Sequence, residues 1–254
     1  MAKASKKTSK KINFHDQLVL KQWLWSKFNP SSIEAMQRLL DLPLHEGIEH
    51  EGDNAGQTKF FTELTSRDLV GKQSLDIDTL RRYDRNIVQH WQQITEARNE
   101  QENSELNLKY FQYLTLLFTE YYLDHYFNHT DQMLSELNEV VADYNEGKSD
   151  SDLLQPFIKT DLNKVAYWSA TGSGKTLLMH INILQYQYYT ERASHFDKIE
   201  QVILLTPNEG LSNQHLIEFK LSGIDAMIFQ KNKSRDQFLN YIRPLAKVKA
   251  HSQS

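Results

Sequence analysis

The chain has 254 residues, 24% charged and 39% hydrophobic, with a net charge of −4 and a mean hydropathy of −0.62. That length accommodates one large or two small domains, and no apolar run approaches the roughly 20 residues that span a bilayer. Nine Gly and five Pro exclude fibrous and low-complexity classes, while the absence of Cys excludes a disulfide scaffold and a thiolate zinc site and fits a cytoplasmic protein.

Residues 1–11 hold five Lys and no acid, leaving −9 on the rest. They read as a basic disordered tail, with a nucleic-acid-binding arm as the sharper alternative. Residues 12–148 form a helical region. Amphipathic helices are expected at 16–28 and 32–41, the second capped by Ser32. Residues 45–58 are polar, carry three Gly and read as an exposed loop. Leu80, Tyr83, Ile87, Trp91 and Ile94 lie on one stripe of a helix over 78–99. Residues 106–128 form the most apolar helix, interrupted by Lys109, Glu120 and Asp124, so it suits a core rather than a bilayer. A further helix over 131–146 ends in the linker 146–152.

Beyond the linker the period changes. Short β-type runs at 164–170, 201–205 and 225–229 alternate with helices at about 175–189 and 211–221. That alternation predicts an α/β fold with a parallel sheet over 149–254. The first run leads into Thr171-Gly172-Ser173-Gly174-Lys175-Thr176 and then into a helix. Strand, Gly-rich turn and helix start are the context of a phosphate-binding loop. Gly172 and Gly174 leave the backbone free to wrap an anion, and its N–H groups with the helix dipole favour negative charge. Lys175 would meet the β- and γ-phosphates of ATP, and the Thr176 hydroxyl would meet Mg²⁺. These two are the candidate catalytic residues. Ser169 stands where the generic G-x-x-x-x-G-K-[ST] pattern has Gly.

Ser169–Thr176 resembles motif I of superfamily 2 helicases, the group of the DEAD/DEAH-box proteins and restriction-enzyme motors. Gln201–Gln214 resembles motif Ia, with Pro207, Leu211 and Gln214 at the usual spacing and Asn208 where many members carry Thr. Over about 105–230 the chain is similar to the motor subunits of type III restriction enzymes. The resemblance implies a RecA-like lobe, ATP and Mg²⁺ as cofactors, nucleic acid (DNA foremost) contacted near Pro207, Asn208 and Gln214, and a restriction or modification subunit as partner. It also makes Gln155, upstream of the loop, a candidate adenine reader.

Hydrolysis in that superfamily needs an Asp-Glu-x-His/Asp motif, and no Asp-Glu dipeptide occurs here. Only 79 residues follow Lys175. The expectation is therefore the N-terminal portion of a helicase or translocase, carrying motifs I and Ia of an incomplete RecA-like lobe and lacking the rest of the motor. The rival expectation is a truncated, non-enzymatic interaction module with a vestigial loop. A kinase or transport ATPase fits less well, because the second apolar run leads into Thr206-Pro207.

Other clusters weigh less. His45-Glu46-Gly-Ile-Glu49-His50 places its His residues five apart, off one helix face, so it is a poor zinc motif. His125 and His129 read as a partly buried aromatic helix end. The aromatics of 110–127 read as core or interface rather than base-stacking platforms, since no dense basic pattern interleaves them. Residues 231–251 carry a net charge of +5 and read as a solvated face or a nucleic-acid contact.

Overall fold

The computed structural model describes residues 14–29, 32–70, 75–193 and 201–228. The described chain is helical. A short α1 (Val19–Trp25) and α2 (Ile33–Leu39) precede a 3₁₀ turn (Leu42–His45) and α3 (Lys59–Ser66). The body follows as α4 (Ile77–Glu102), α5 (Tyr110–Asn128) and α6 (Thr130–Asn145), then α7 (Lys175–Arg192) and α8 (Glu209–Leu221).

Side-chain caps fix four of the eight α-helix starts among the described residues. The side chains of Ser32, Thr58, Asp76 and Asn208 accept hydrogen bonds from the backbone N–H groups of Ala35, Phe61, Thr79 and Leu211. Each cap satisfies a donor that the helix itself leaves orphaned. Asn103, at φ 46°, closes α4 in a left-handed conformation, as Asn tolerates.

α5 is the axis of the molecule. It packs against α7, α4, α6 and α1, and buries Tyr113, Leu114, Leu116, Leu117, Tyr121, Leu123 and Phe127 around its circumference. A helix apolar on every side must be covered on every side. α7 joins the same core through Leu178, Ile181, Leu184 and Tyr189. Each fully buried aliphatic side chain contributes roughly 1.5–3 kcal/mol. α8 lies on α4 and α7.

The expected parallel sheet is absent among the described residues, where pairing is confined to two isolated antiparallel bridges, Phe28–Val70 and Ile48–Thr58. The runs at 164–170 and 201–205 carry neither helix nor ladder, and the same holds for 225–228 of the third, whose last residue lies outside the description. An incomplete RecA-like lobe built on that sheet is therefore not the architecture seen. The physical reason is that strand preference measures fit to a neighbouring strand. Val165, Tyr167 and Leu204 have the right composition but form no ladder with any strand among the described residues. Tyr167 is instead tied by its hydroxyl to Thr119 of α5, 3.0 Å away.

Boundaries shift elsewhere too. The helix expected at 16–28 contracts to α1 after a 3₁₀ turn over Phe14–Gln17. α4 extends at both ends, to about 39 Å at 1.5 Å per residue. α3 falls in a stretch for which the sequence suggested no element. Residues 1–11 and 231–251, with their basic clusters, lie outside the described residues. Among the described residues no helix is long and apolar enough to cross a membrane.

Candidate functional site

The loop from Thr171 to Thr176 sits at the mouth of α7, against the first turn of α5. Gly172 and Gly174 both have φ +79°, a region that side chains other than Gly rarely adopt. Gly174 is constrained twice, because a Cβ there would lie 2.5 Å from Gln112 Nε2. Gln112 is buried in α5. Its Nε2 donates to the Ser173 carbonyl at 3.1 Å, and its Oε1 accepts from Lys109 N at 3.0 Å. It clamps the loop to the body, a role no local sequence signal announces.

Gly174 is the N-cap of α7 and offers no side chain, so that helix start has no side-chain cap. The first backbone bond into the helix runs from Leu178 N to Gly174 O at 3.0 Å. The N–H groups of Lys175, Thr176 and Leu177 precede it and have no intrahelical acceptor. The exposed Lys175 side chain folds back over the loop, its Nζ donating to Ala170 O at 2.9 Å and reaching Ser169 O at 3.3 Å. Ser173 is buried, and its Oγ has no hydrogen-bond partner among the described residues. Thr176 is half-buried on the first turn. An uncapped helix start, two positive-φ glycines and a lysine at the rim can together hold an anion.

A groove of about 640 Å³ opens beside the loop. It is lined by Lys175, Leu178, Asn182 and Tyr186 along α7 and by Tyr167, Ser169 and Val202 from neighbouring segments. Asn182 and Tyr186 also border a smaller cavity of about 230 Å³ reaching Thr119 and Tyr122.

The other sequence candidates go elsewhere. Pro207, Asn208 and Gln214 are exposed at the start of α8 and do not line the groove. The Asn208 side chain is engaged as a cap, accepting from Leu211 N at 2.9 Å. Gln155 is exposed in a segment tied to α6, where Asn145 holds Leu154 and Asn138 holds Phe157. His45 pairs with Glu63 at 3.6 Å, His50 with Glu105 at 3.4 Å, and Glu46 with Lys109 at 3.0 Å, so that cluster divides among separate partners. His125 stacks on Tyr121 with ring centroids 4.0 Å apart.

Two buried polar clusters escaped sequence reasoning. Glu120 is fully buried and accepts from Asn86 at 2.6 Å, Gln185 at 2.7 Å and Tyr189 at 2.7 Å. Burial pushes its carboxyl up to about 7 against the pull of those donors. The second cluster latches α8. Ser222 Oγ lies 2.7 Å from His180 Nδ1 and accepts from Arg98 Nη1 at 2.9 Å, while Arg98 Nη2 donates to Glu218 Oε2 at 2.6 Å. Burial drives the His180 imidazole down to about 4. Ser222 and His180 have 0% exposure, so this serine–histidine pair is sealed from substrate and serves as a clasp.

No protein-family model matches the chain, no curated protein matches it in sequence, and no solved structure matches it in fold.

Proposed function

We propose that the chain binds Mg²⁺–ATP through Gly172–Thr176 and serves as a component of a motor resembling the superfamily 2 helicases, acting on nucleic acid, DNA foremost, with a restriction or modification subunit as partner. One observation carries the nucleotide part. Two glycines at φ +79° lead into an uncapped helix start whose first residue, the exposed Lys175, folds back over the loop. Its contacts with two carbonyls keep the ammonium beside the loop, where it could pair with an anion bound there. Phosphate would exchange those neutral acceptors for a charge-assisted one, which is the stronger bond. Thr176 follows on the first turn of α7, and its hydroxyl would meet the Mg²⁺ that accompanies the phosphates. The nucleic-acid part rests on the sequence resemblance around Pro207–Gln214 alone.

A second reading has its own observation. Trp168 is 91% exposed, Leu205 88% and Ile203 75%, and a partner docking on these segments would take that apolar area out of water. In that reading the chain is a non-enzymatic interaction module.

Titration calorimetry with Mg²⁺–ATP on the wild-type chain and on Lys175→Ala separates the two. The nucleotide reading expects affinity to fall by at least about tenfold, the loss of one charge-assisted contact. Equal affinity in the two proteins would reject the loop as the site and leave the interaction module.

A further inference from the structure

Arg98 fastens the last turn of α8 to the body. Its guanidinium is buried on α4 and steadied there by Nη1, which donates to Ile94 O at 2.7 Å, one turn back on the same helix. The same Nη1 donates to Ser222 Oγ at 2.9 Å, and Nη2 donates to Glu218 O at 3.0 Å and Glu218 Oε2 at 2.6 Å. Arginine only donates, so Ser222 Oγ accepts from it and keeps its own hydrogen for His180 Nδ1 on α7, 2.7 Å away. Phe219 stacks on that imidazole with ring centroids 4.3 Å apart.

Little else holds the helix. Phe219 is the one buried side chain of Glu209–Leu221, while Leu211 and Ile217 stay exposed. Phe219 also lies outside the common core, to which α4, α5 and α7 contribute Ile87, Leu116, Leu117, Ile181 and Leu184. Among the described residues, the hydrogen bonds that tie α8 to other helices gather at its C-terminal end. Those at its start are local, from Leu211 N to Asn208 Oδ1 at 2.9 Å and between Thr206 Oγ1 and Ser212 Oγ at 2.5 Å. The second of these joins α8 to the run before it, whose Val202 lines the groove beside Lys175. An element with few buried apolar side chains opens before the core does.

We propose that residues 201–222 form a strap that walls the groove along α7, docked at one end by Arg98, and that loss of this clasp frees α8 and opens the groove while α4, α5 and α7 stay packed. The strap is independent of whether 171–176 holds nucleotide.

Amide hydrogen exchange in the wild type, Arg98→Met, Arg98→Lys and Ser222→Ala tests the clasp. The wild-type α8 amides should exchange together, ahead of those of α5 and α7. Arg98→Met should speed the α8 amides by about tenfold or more, the loss of charge-assisted hydrogen bonds, and leave α5 and α7 unchanged. Arg98→Lys supplies a charge without the planar fork and should recover part of the protection. Ser222→Ala should give a smaller effect of the same pattern, and it carries the comparison if Arg98→Met does not fold. Groove opening is read separately. The chain has no Cys, so spin labels attached through Leu205→Cys and Thr115→Cys report one distance across the groove. That distance should be single in the wild-type background and acquire a longer population when the clasp is lost. Exchange of α8 in step with α5 and α7 in the wild type and the variants, or a label distance that the clasp variants leave unchanged, would overturn the strap.

Discussion

Glu120 shows how far a single residue's environment can depart from its apparent character. It interrupts the most apolar stretch of the sequence and would pass for a solvent-facing position. In the fold it is the point where α4, α5 and α7 meet, holding Asn86, Gln185 and Tyr189. Nearby Asp124 differs. Burial would raise its carboxyl, but hydrogen bonds from Tyr83 and Asn128 and the charge of Arg82 hold it below the usual value. Glu120 has no cation among its hydrogen-bond partners, so its folded value rises to about 7 from an ordinary 4.5. Between those values the folded chain binds the extra proton, and stability falls as pH rises, levelling above about 7. The full excursion is of order 3 kcal/mol. Asp84, raised by burial to about 6, acts in the same direction. His90 and His180 act oppositely, since burial lowers both to about 4. The unfolded chain then takes their protons first, and stability falls as pH drops from 6.5 towards 4. Subtracting Glu120→Gln from wild type isolates the one group. Urea denaturation between pH 5 and 8 should show the wild-type advantage shrinking as pH rises through about 7. A difference independent of pH would mean that Glu120 does not titrate in this window.

At the scale of elements, helices were legible where period and caps agreed. Ser32 caps α2 as its sequence context implied, and Leu80, Tyr83, Ile87, Trp91 and Ile94 form the buried stripe of α4. The Gly-rich turn into α7 was legible because Gly172, Gly174 and Lys175 lie within four residues. The Gln112 clamp was not, because it exists only once α5 packs against the loop that opens α7. The three apolar runs misled because composition says that a segment prefers a neighbouring strand, not that one is present. The run ending at Trp168 gives this a spectroscopic signature. Trp23, Trp25 and Trp91 are buried at 1%, 7% and 2% exposure, whereas Trp168 is 91% exposed. Acrylamide should quench one readily accessible emission component, and Trp168→Phe should remove it while leaving the buried components unchanged. Unaltered quenching in that variant would show that this segment is covered.

For the whole molecule, the loop belongs to the same packed body as the first helices. α7 carries the loop at its head and Leu178, Ile181 and Leu184 in the common core, and Gln112 joins loop and body by one hydrogen bond. A site mounted on a rigid element is already shaped before its ligand arrives. The described fold is helical, and the resemblance to helicase motors lives in its loop sequence and not in a sheet. Phosphate received by the backbone of 171–176 would perturb its amides, and amide chemical shifts report on that backbone directly. On addition of Mg²⁺–ATP, the largest shifts in a ¹⁵N–¹H spectrum should fall on Gly172, Ser173, Gly174, Lys175 and Thr176, and Lys175→Ala should suppress them. Shifts confined to other residues, or unchanged by Lys175→Ala, would show that phosphate is not held at 171–176.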